Sequence, residues 1–279
     1  MTSPIPTMIP PIFALVIAPG EYEGTSNIQH TQAAEMHLVG DRPWLQRVIE
    51  NVVEGGVTSL EVLVCHGSDR IGQHFGSGER WGCQIRFSLV QEPSLPYRAL
   101  RARDLSGLPD WLWIVHAQWL SHQPLPAVES GQATLLVDSQ GNWAGAAWVP
   151  SSVVAELFQL PISEVGPHLL RSLKQAHLSS RESLRLDHPA AVLKANRVFL
   201  IQKDWDRFGR EVEPGLWIGR DVVLHPTVQL IEPVYIAPHC RLGEGVRLGP
   251  NVVLGSNVVV DRATTIEDSV VAVGSYLGN

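Results

Sequence analysis

The sequence predicts a two-part protein: a doubly wound, Rossmann-like α/β domain followed by a C-terminal left-handed parallel β-helix of hexapeptide repeats. Two observations carry that reading. The first is a period of six: Ile218, Leu224, Leu230, Ile236, Leu242, Leu248, Leu254, Val260 and Ile266 recur at that interval. No α-helix or flat sheet repeats every six residues. A triangular coil with about six residues per face does, and fixed-period self-similarity is the mark of repeat architectures. Nine such hexads on three faces make about three coils, with Leu230, Leu248 and Ile266 in one stacked column. The residue after each aliphatic is often small or polar (Gly219, Ala237, Gly243, Gly249, Gly255, Asp261), which suits a tight corner where Gly takes backbone angles closed to larger residues. The second observation is that, before residue 203, strand-like apolar runs alternate with helically spaced ones, the pattern of a mostly parallel sheet with helices on its faces.

Taken in order, residues 1–12 read as a flexible, Pro-rich tail. Residues 1–11 carry no Lys or Arg, so they do not form a signal peptide. Residues 13–18 (FALVIA) form a continuous apolar run, as expected of a central parallel strand; with Ile12 it is too short to span a bilayer. Residues 43–53 show helical spacing (Trp44, Leu45, Val48, Ile49, Val52) closed by Gly55 and Gly56. Residues 59–65 are a second strand, 69–75 a short helix, 84–90 an alternating strand, 96–105 a helix and 111–115 (WLWIV) a fourth strand. Residues 133–137 and 144–149 flank a hairpin-like turn at Asp138–Asn142. Ser151 and Ser152 cap a helix over 153–158, a second helix covers 165–177, and a third covers 189–200. The expected domains are therefore an α/β domain over 13–203, a polar linker over 204–215 and the β-helix over 216–279.

Composition narrows the functional classes. The net charge is −7 and no basic cluster exists, which argues against nucleic-acid partners and anionic membranes. The three cysteines, Cys65, Cys83 and Cys240, are widely spaced and form no CxxC pair or disulfide framework, so a reducing, cytoplasmic setting is expected. The six-residue step slips by one after Ile266 and continues through Val271 and Leu277. An open final coil would leave apolar groups and strand edges uncovered, so a homo- or hetero-oligomeric contact through the β-helix, or a longer natural chain, is expected.

From about Phe13 onward the chain resembles the sugar nucleotidyltransferases, closest to the mannose-1-phosphate guanylyltransferase-like branch with a C-terminal β-helix. The residues that carry this are Arg42-Pro43, the stretch FGSGERWGCQIRFSL over 75–89 with Glu92-Pro93 after it, and 189–196 ending Leu193-Lys-Ala-Asn196. The resemblance implies a fold that joins a nucleoside triphosphate to a sugar 1-phosphate, releasing pyrophosphate with the help of a divalent metal. Such chemistry needs backbone N–H groups and cations around the leaving pyrophosphate, and carboxylates for Mg²⁺.

Laid on the family pattern, this chain departs at each of those points. Ala18 and Gly20 keep the start of the phosphate loop, but the family's loop Arg falls on Gly24 and its Lys on Ala34, each beside an acidic residue (Glu23, Glu35). The G-T-A-G loop falls on residues 95–98, with Tyr97 and Arg98. The two metal-binding carboxylates fall on Gln118 and Arg185. Three readings follow, the first preferred. In the first, catalysis is lost and the chain is a nucleotide-sugar-binding, regulatory or scaffolding subunit without metal or cofactor. Its ligand contacts come from Ala18, Gly20, Tyr97, Arg98, His116, Gln118 and Arg185. Tyr97 and Trp119 could stack on a ring, and Arg185 could offer phosphate a fixed charge in place of a metal. In the second, an active nucleotidyltransferase makes a GDP-mannose-like product, with Arg98 or Arg101 for charge and Asp41 or Asp104 for Mg²⁺. In the third, a β-helix acyltransferase uses His225 or His239 as general base.

Overall fold

The computed structural model describes residues 12–20, 33–65, 68–102, 105–121, 123–128, 131–174, 176–180, 182–202 and 209–278. The tail over 1–11, Glu23, Gly24, Asp104 and residues 204–208 of the expected linker lie outside them. The chain groups into two compact units, Met1–Gly20 with Val48–Ser183, and Glu21–Arg47 with Leu184–Asn279.

The first unit is built on a seven-stranded sheet. Its strands are β1 (Ile12–Ala18), β2 (Val57–Val64), β3 (Gln84–Leu89), β4 (Trp111–His116), β5 (Thr134–Val137), β6 (Trp143–Pro150) and β7 (His177–Ser180), in spatial order β7-β5-β6-β4-β1-β2-β3. β1 is parallel to both β2 and β4, β2 is parallel to β3, and β6 alone runs against its neighbours β4 and β5. Burial explains the run in β1: residues 14–18 are all at 1% exposure or less, because a central parallel strand is covered on both faces. Helix α1 (Trp44–Glu54) buries the predicted stripe, with Trp44, Leu45, Val48, Ile49 and Val52 all at 3% exposure or less. Gly56 follows it in the left-handed region at φ +91°. Helix α2 (Ser68–Phe75) and the turn between β5 and β6 also stand where the pattern puts them. In that turn Asp138 accepts the N–H groups of Gln140 and Asn142.

Three elements differ from the expectation. The helix expected over 96–105 is a 3₁₀ turn, Pro96–Leu100, closed by i→i+3 bonds such as Arg98 N–H to Leu95 O. The helix over 153–158 shrinks to α3 (Val153–Glu156), and Ser152 is itself α-helical and makes no side-chain cap bond. The next helix, α4, runs Ile162–Ser172, starting right after Pro161 and stopping short of His177. Residues 177–180 instead pair in parallel with β5 as an edge strand. Pairing with a strand about 40 residues away overrides local helical spacing there.

In the second unit, α5 (Pro189–Ile201) opens with His188 as cap, whose Nδ1 accepts the Ala191 N–H at 3.0 Å, and with Pro189 at its first position. The repeats form three sheets of parallel strands. Ile218 pairs with Ile236, Ile236 with Leu254 and Leu254 with Val271; Leu224, Leu242, Val260 and Leu277 form a second column; Leu230, Leu248 and Ile266 form the third. Partners lie 18 residues apart until the last coil, where Leu254 meets Val271 one residue early; the slip after Ile266 is that shortened coil. This arrangement is compatible with the predicted β-helix, and the aliphatics of the middle coils line its dry interior.

The corners follow the expected rule only at Gly249, which follows Leu248 with φ +107°; elsewhere the rule differs. The left-handed residues come three places after the aliphatic: Asp221, His239, Asn257 and Gly274 stand at equivalent corners, all with φ between 55° and 72°. The small residue directly after the aliphatic is small because the next coil's backbone stacks against it. A Cβ on Gly219 would lie 2.6 Å from Pro238 N, on Gly243 2.9 Å from Arg262 N, and on Gly255 2.8 Å from Val273 N.

Candidate functional site

The chain order reverses at β1: β2 lies on one side of it and β4 on the other. Open α/β sheets bind ligands beyond the carboxyl ends of the strands at such a switch point. Ile17 pairs with His116 and the Ala117 N–H donates to Ile17 O at 2.8 Å, so β1 and β4 end side by side, with Gln118 two residues past the end of β4. Gly20 follows with φ +83°, a conformation that favours glycine. Ala18, Gly20, His116, Gln118 and Tyr97 thus all belong to the first unit, and Ala18, His116 and Gln118 meet at this edge of its sheet.

His116 is the last residue of β4, and its side chain meets the Tyr97 hydroxyl, with 2.8 Å between Oη and Nε2. Both residues are buried, at 1% and 0% exposure. The Trp143 ring stands edge-on to the imidazole at 5.7 Å. Burial pushes the His116 pKa down to about 3 and drives the Tyr97 phenol upward, so both side chains are neutral near pH 7. Among the described residues no hydrogen-bond partner reaches His116 Nδ1. Gln118 is buried too, at 7% exposure. The imidazole and phenol bond to each other, and the nearby carboxamide is uncharged. None supplies the charge needed to hold Mg²⁺ or to offset a departing pyrophosphate.

The cations and acids named from sequence stand elsewhere. Arg98 lies on the surface, paired with Glu92 at 2.8 Å and within 3.3 Å of the Gln159 side-chain oxygen. Arg101 is exposed. Ala34 opens a 3₁₀ turn in the second unit and is followed by the fully buried Glu35. Arg185 ends a short strand, Ser183–Arg185, as an exposed residue of the second unit. Asp41 is held by Arg47 at 2.7 Å, and Arg47 also donates to Val39 O. His225 and His239 are both exposed; His225 contacts the Thr227 hydroxyl at 2.8 Å, and His239 sits at a coil corner 3.5 Å from Asp221. Sequence reasoning missed the role of Trp143, because nothing local distinguishes a tryptophan after a turn from any other core aromatic. Among the described residues, no helix is long and apolar enough to cross a membrane.

Comparison with known proteins gives the same fold. No protein-family model matches the chain. Over 105 residues it is 28% identical to the low-salt glycan biosynthesis nucleotidyltransferase Agl11 of Haloferax volcanii, a match spanning 37% of this chain and 29% of that protein. The structure of HddC from Yersinia pseudotuberculosis, complexed with GMP-PN, superposes with a TM-score of 0.51 at 11% identity, over 67% of this chain and 99% of HddC. A Bacillus anthracis protein assigned as a glucose-1-phosphate thymidylyltransferase, solved with sucrose, gives 0.51 at 12% identity over 71% of this chain and 98% of its own. The α/β fold is thus shared with proteins described as sugar nucleotidyltransferases.

Proposed function

We propose that this chain binds a nucleotide or nucleotide sugar at the β1–β4 switch point without turning it over. It then acts as a cytoplasmic regulatory or scaffolding subunit in nucleotide-sugar or polysaccharide metabolism. What supports the reading is the chemistry at the switch point of a nucleotidyltransferase-like sheet: Gln118 stands where the resemblance places a metal carboxylate, and the nearby His116 and Tyr97 are neutral and bonded to each other. The active reading draws on Arg98 or Arg101 for charge and Asp41 or Asp104 for Mg²⁺; of these, Arg98 and Asp41 are already engaged in ion pairs. Within the class, a GDP-mannose-like ligand is the favoured one, on the strength of the resemblance. In this reading residues 13–203 form the nucleotidyltransferase-like domain, 204–215 the linker and 216–279 a left-handed β-helix through which copies or partners assemble.

Calorimetric titration with GTP, GDP-mannose and UDP-glucose, with and without Mg²⁺, tests the proposal beside a coupled pyrophosphate-release assay. The expected result is binding of at least one ligand that does not depend on Mg²⁺, with no pyrophosphate released from any sugar 1-phosphate. Turnover near one per second, an ordinary enzymatic rate, would overturn it.

A further inference from the structure

Away from the crevice, the outer part of the first unit's sheet changes character. Strand register sets two rows side by side: Phe13, Ser59 and Gln84, then Leu15, Glu61 and Arg86. Residues in register on parallel strands share a face, so these six make one floor, apolar on β1 and polar on β2 and β3. Further along the same face Leu63 and Val90 return to the apolar core. Leu100, Leu105 and Leu108 wall the opposite side of a partly open cavity of about 400 Å³.

Glu61 lies in the middle of that floor at 5% exposure, its Oε1 accepting the Ser88 hydroxyl at 2.6 Å. Carboxylates are seldom buried so deeply, because leaving water is costly unless hydrogen bonds compensate. We propose that this cavity is a second ligand site, for a neutral, hydroxyl-rich molecule the size of a monosaccharide. One side of a pyranose ring is apolar, matching Phe13 and Leu15, and its hydroxyls match the carboxylate, amide, guanidinium and hydroxyl of Glu61, Gln84, Arg86 and Ser59. The lining sets one acidic side chain, Glu61, beside one basic one, Arg86, which suits a ligand without net charge. The proposal stands independently of the ligand at the β1–β4 switch point.

Saturation-transfer NMR on the full chain with D-mannose and D-glucose tests it. The expected result is transfer to at least one hexose with millimolar affinity that an excess of GDP-mannose does not displace. Glu61→Gln keeps the shape but loses the charged acceptor, and should weaken binding about tenfold or more. Gln84→Trp, on the exposed edge strand, puts a bulky ring into the cavity while leaving Glu61 itself unchanged, and should abolish transfer. Absence of transfer from both hexoses would overturn the proposal. So would displacement by GDP-mannose, which would put the hexose in the crevice, or wild-type binding by the folded Gln84→Trp variant.

Discussion

At the last position of β4 the imidazole of His116 is buried against Tyr97 and Trp143 and stays neutral, with a folded-state pKa of about 3 against 6.5 in the open chain. The sign of the consequence follows from linkage: the unfolded chain takes up a proton below pH 6.5, and the native site does not until about pH 3. Stability contributed by a neutral His116 is therefore complete above pH 6.5 and is lost as pH falls toward 3. The slope approaches about 1.4 kcal/mol per pH unit. Between pH 7 and pH 5 the loss is about 2 kcal/mol. Urea denaturation of the wild type and of His116→Gln at both pH values should show this extra loss only in the wild type. Equal losses in both proteins would mean that His116 is protonated in the native state. Asn196 shows the same residue-scale logic without titration. Its side chain accepts the Gly40 N–H at 2.7 Å and donates to Leu38 O and Val192 O, so α5 and the segment around Arg42-Pro43 are joined. Two stretches that read in the sequence as family landmarks are, in this unit, one packing device.

At the scale of elements, the coil's small residues separate two causes that the sequence runs together. Gly243 has no positive φ, yet its missing Cβ leaves room for the next coil's backbone; Gly274 has φ +72° with nothing within 4 Å of a built Cβ. Gly274→Ala should therefore cost only the conformational penalty, about 1 kcal/mol. Gly243→Ala should cost about 1–3 kcal/mol, because the backbone of two coils must part. Denaturation midpoints of the two variants read the difference, and the reverse order would restore the corner explanation. The six-residue period was legible because each aliphatic meets its equivalent one coil on, so one constraint is written nine times over. The β strands and α1 were legible for a similar reason, since buried faces leave a periodic trace. The edge strand His177–Ser180 was not, because its partner is β5 and no local pattern records it. The Tyr97–His116 contact was equally hidden: it joins a 3₁₀ turn to a strand end, and neither residue type announces the other.

At the scale of the molecule, the issue is whether a nucleotidyltransferase-like fold without its charges can be returned toward its chemistry. The resemblance assigns the two metal carboxylates to Gln118 and Arg185 and the two cations to Gly24 and Ala34. Holding Mg²⁺ requires carboxylate oxygens and tolerates few other ligands, whereas transfer requires in addition that charge on the departing pyrophosphate be met. Those demands are separable. Restoring the carboxylate of the first unit, Gln118→Asp, should create measurable affinity for Mn²⁺ or Mg²⁺ in the presence of a nucleoside triphosphate, followed by calorimetry or by Mn²⁺ relaxation. Pyrophosphate release should stay at background, because the two positions that the resemblance gives to cations remain Gly24 and Ala34, which carry no charge to offset the leaving group. Gln118 is buried, so the single substitution Gln118→Asp should destabilise the first unit unless metal is supplied, and added Mn²⁺ should raise its melting temperature. Metal affinity without turnover would locate the loss in the cations. Turnover from Gln118→Asp alone would mean that Arg98 or Arg101 leaves its surface position to serve the reaction, and the silent reading would then give way to the active one.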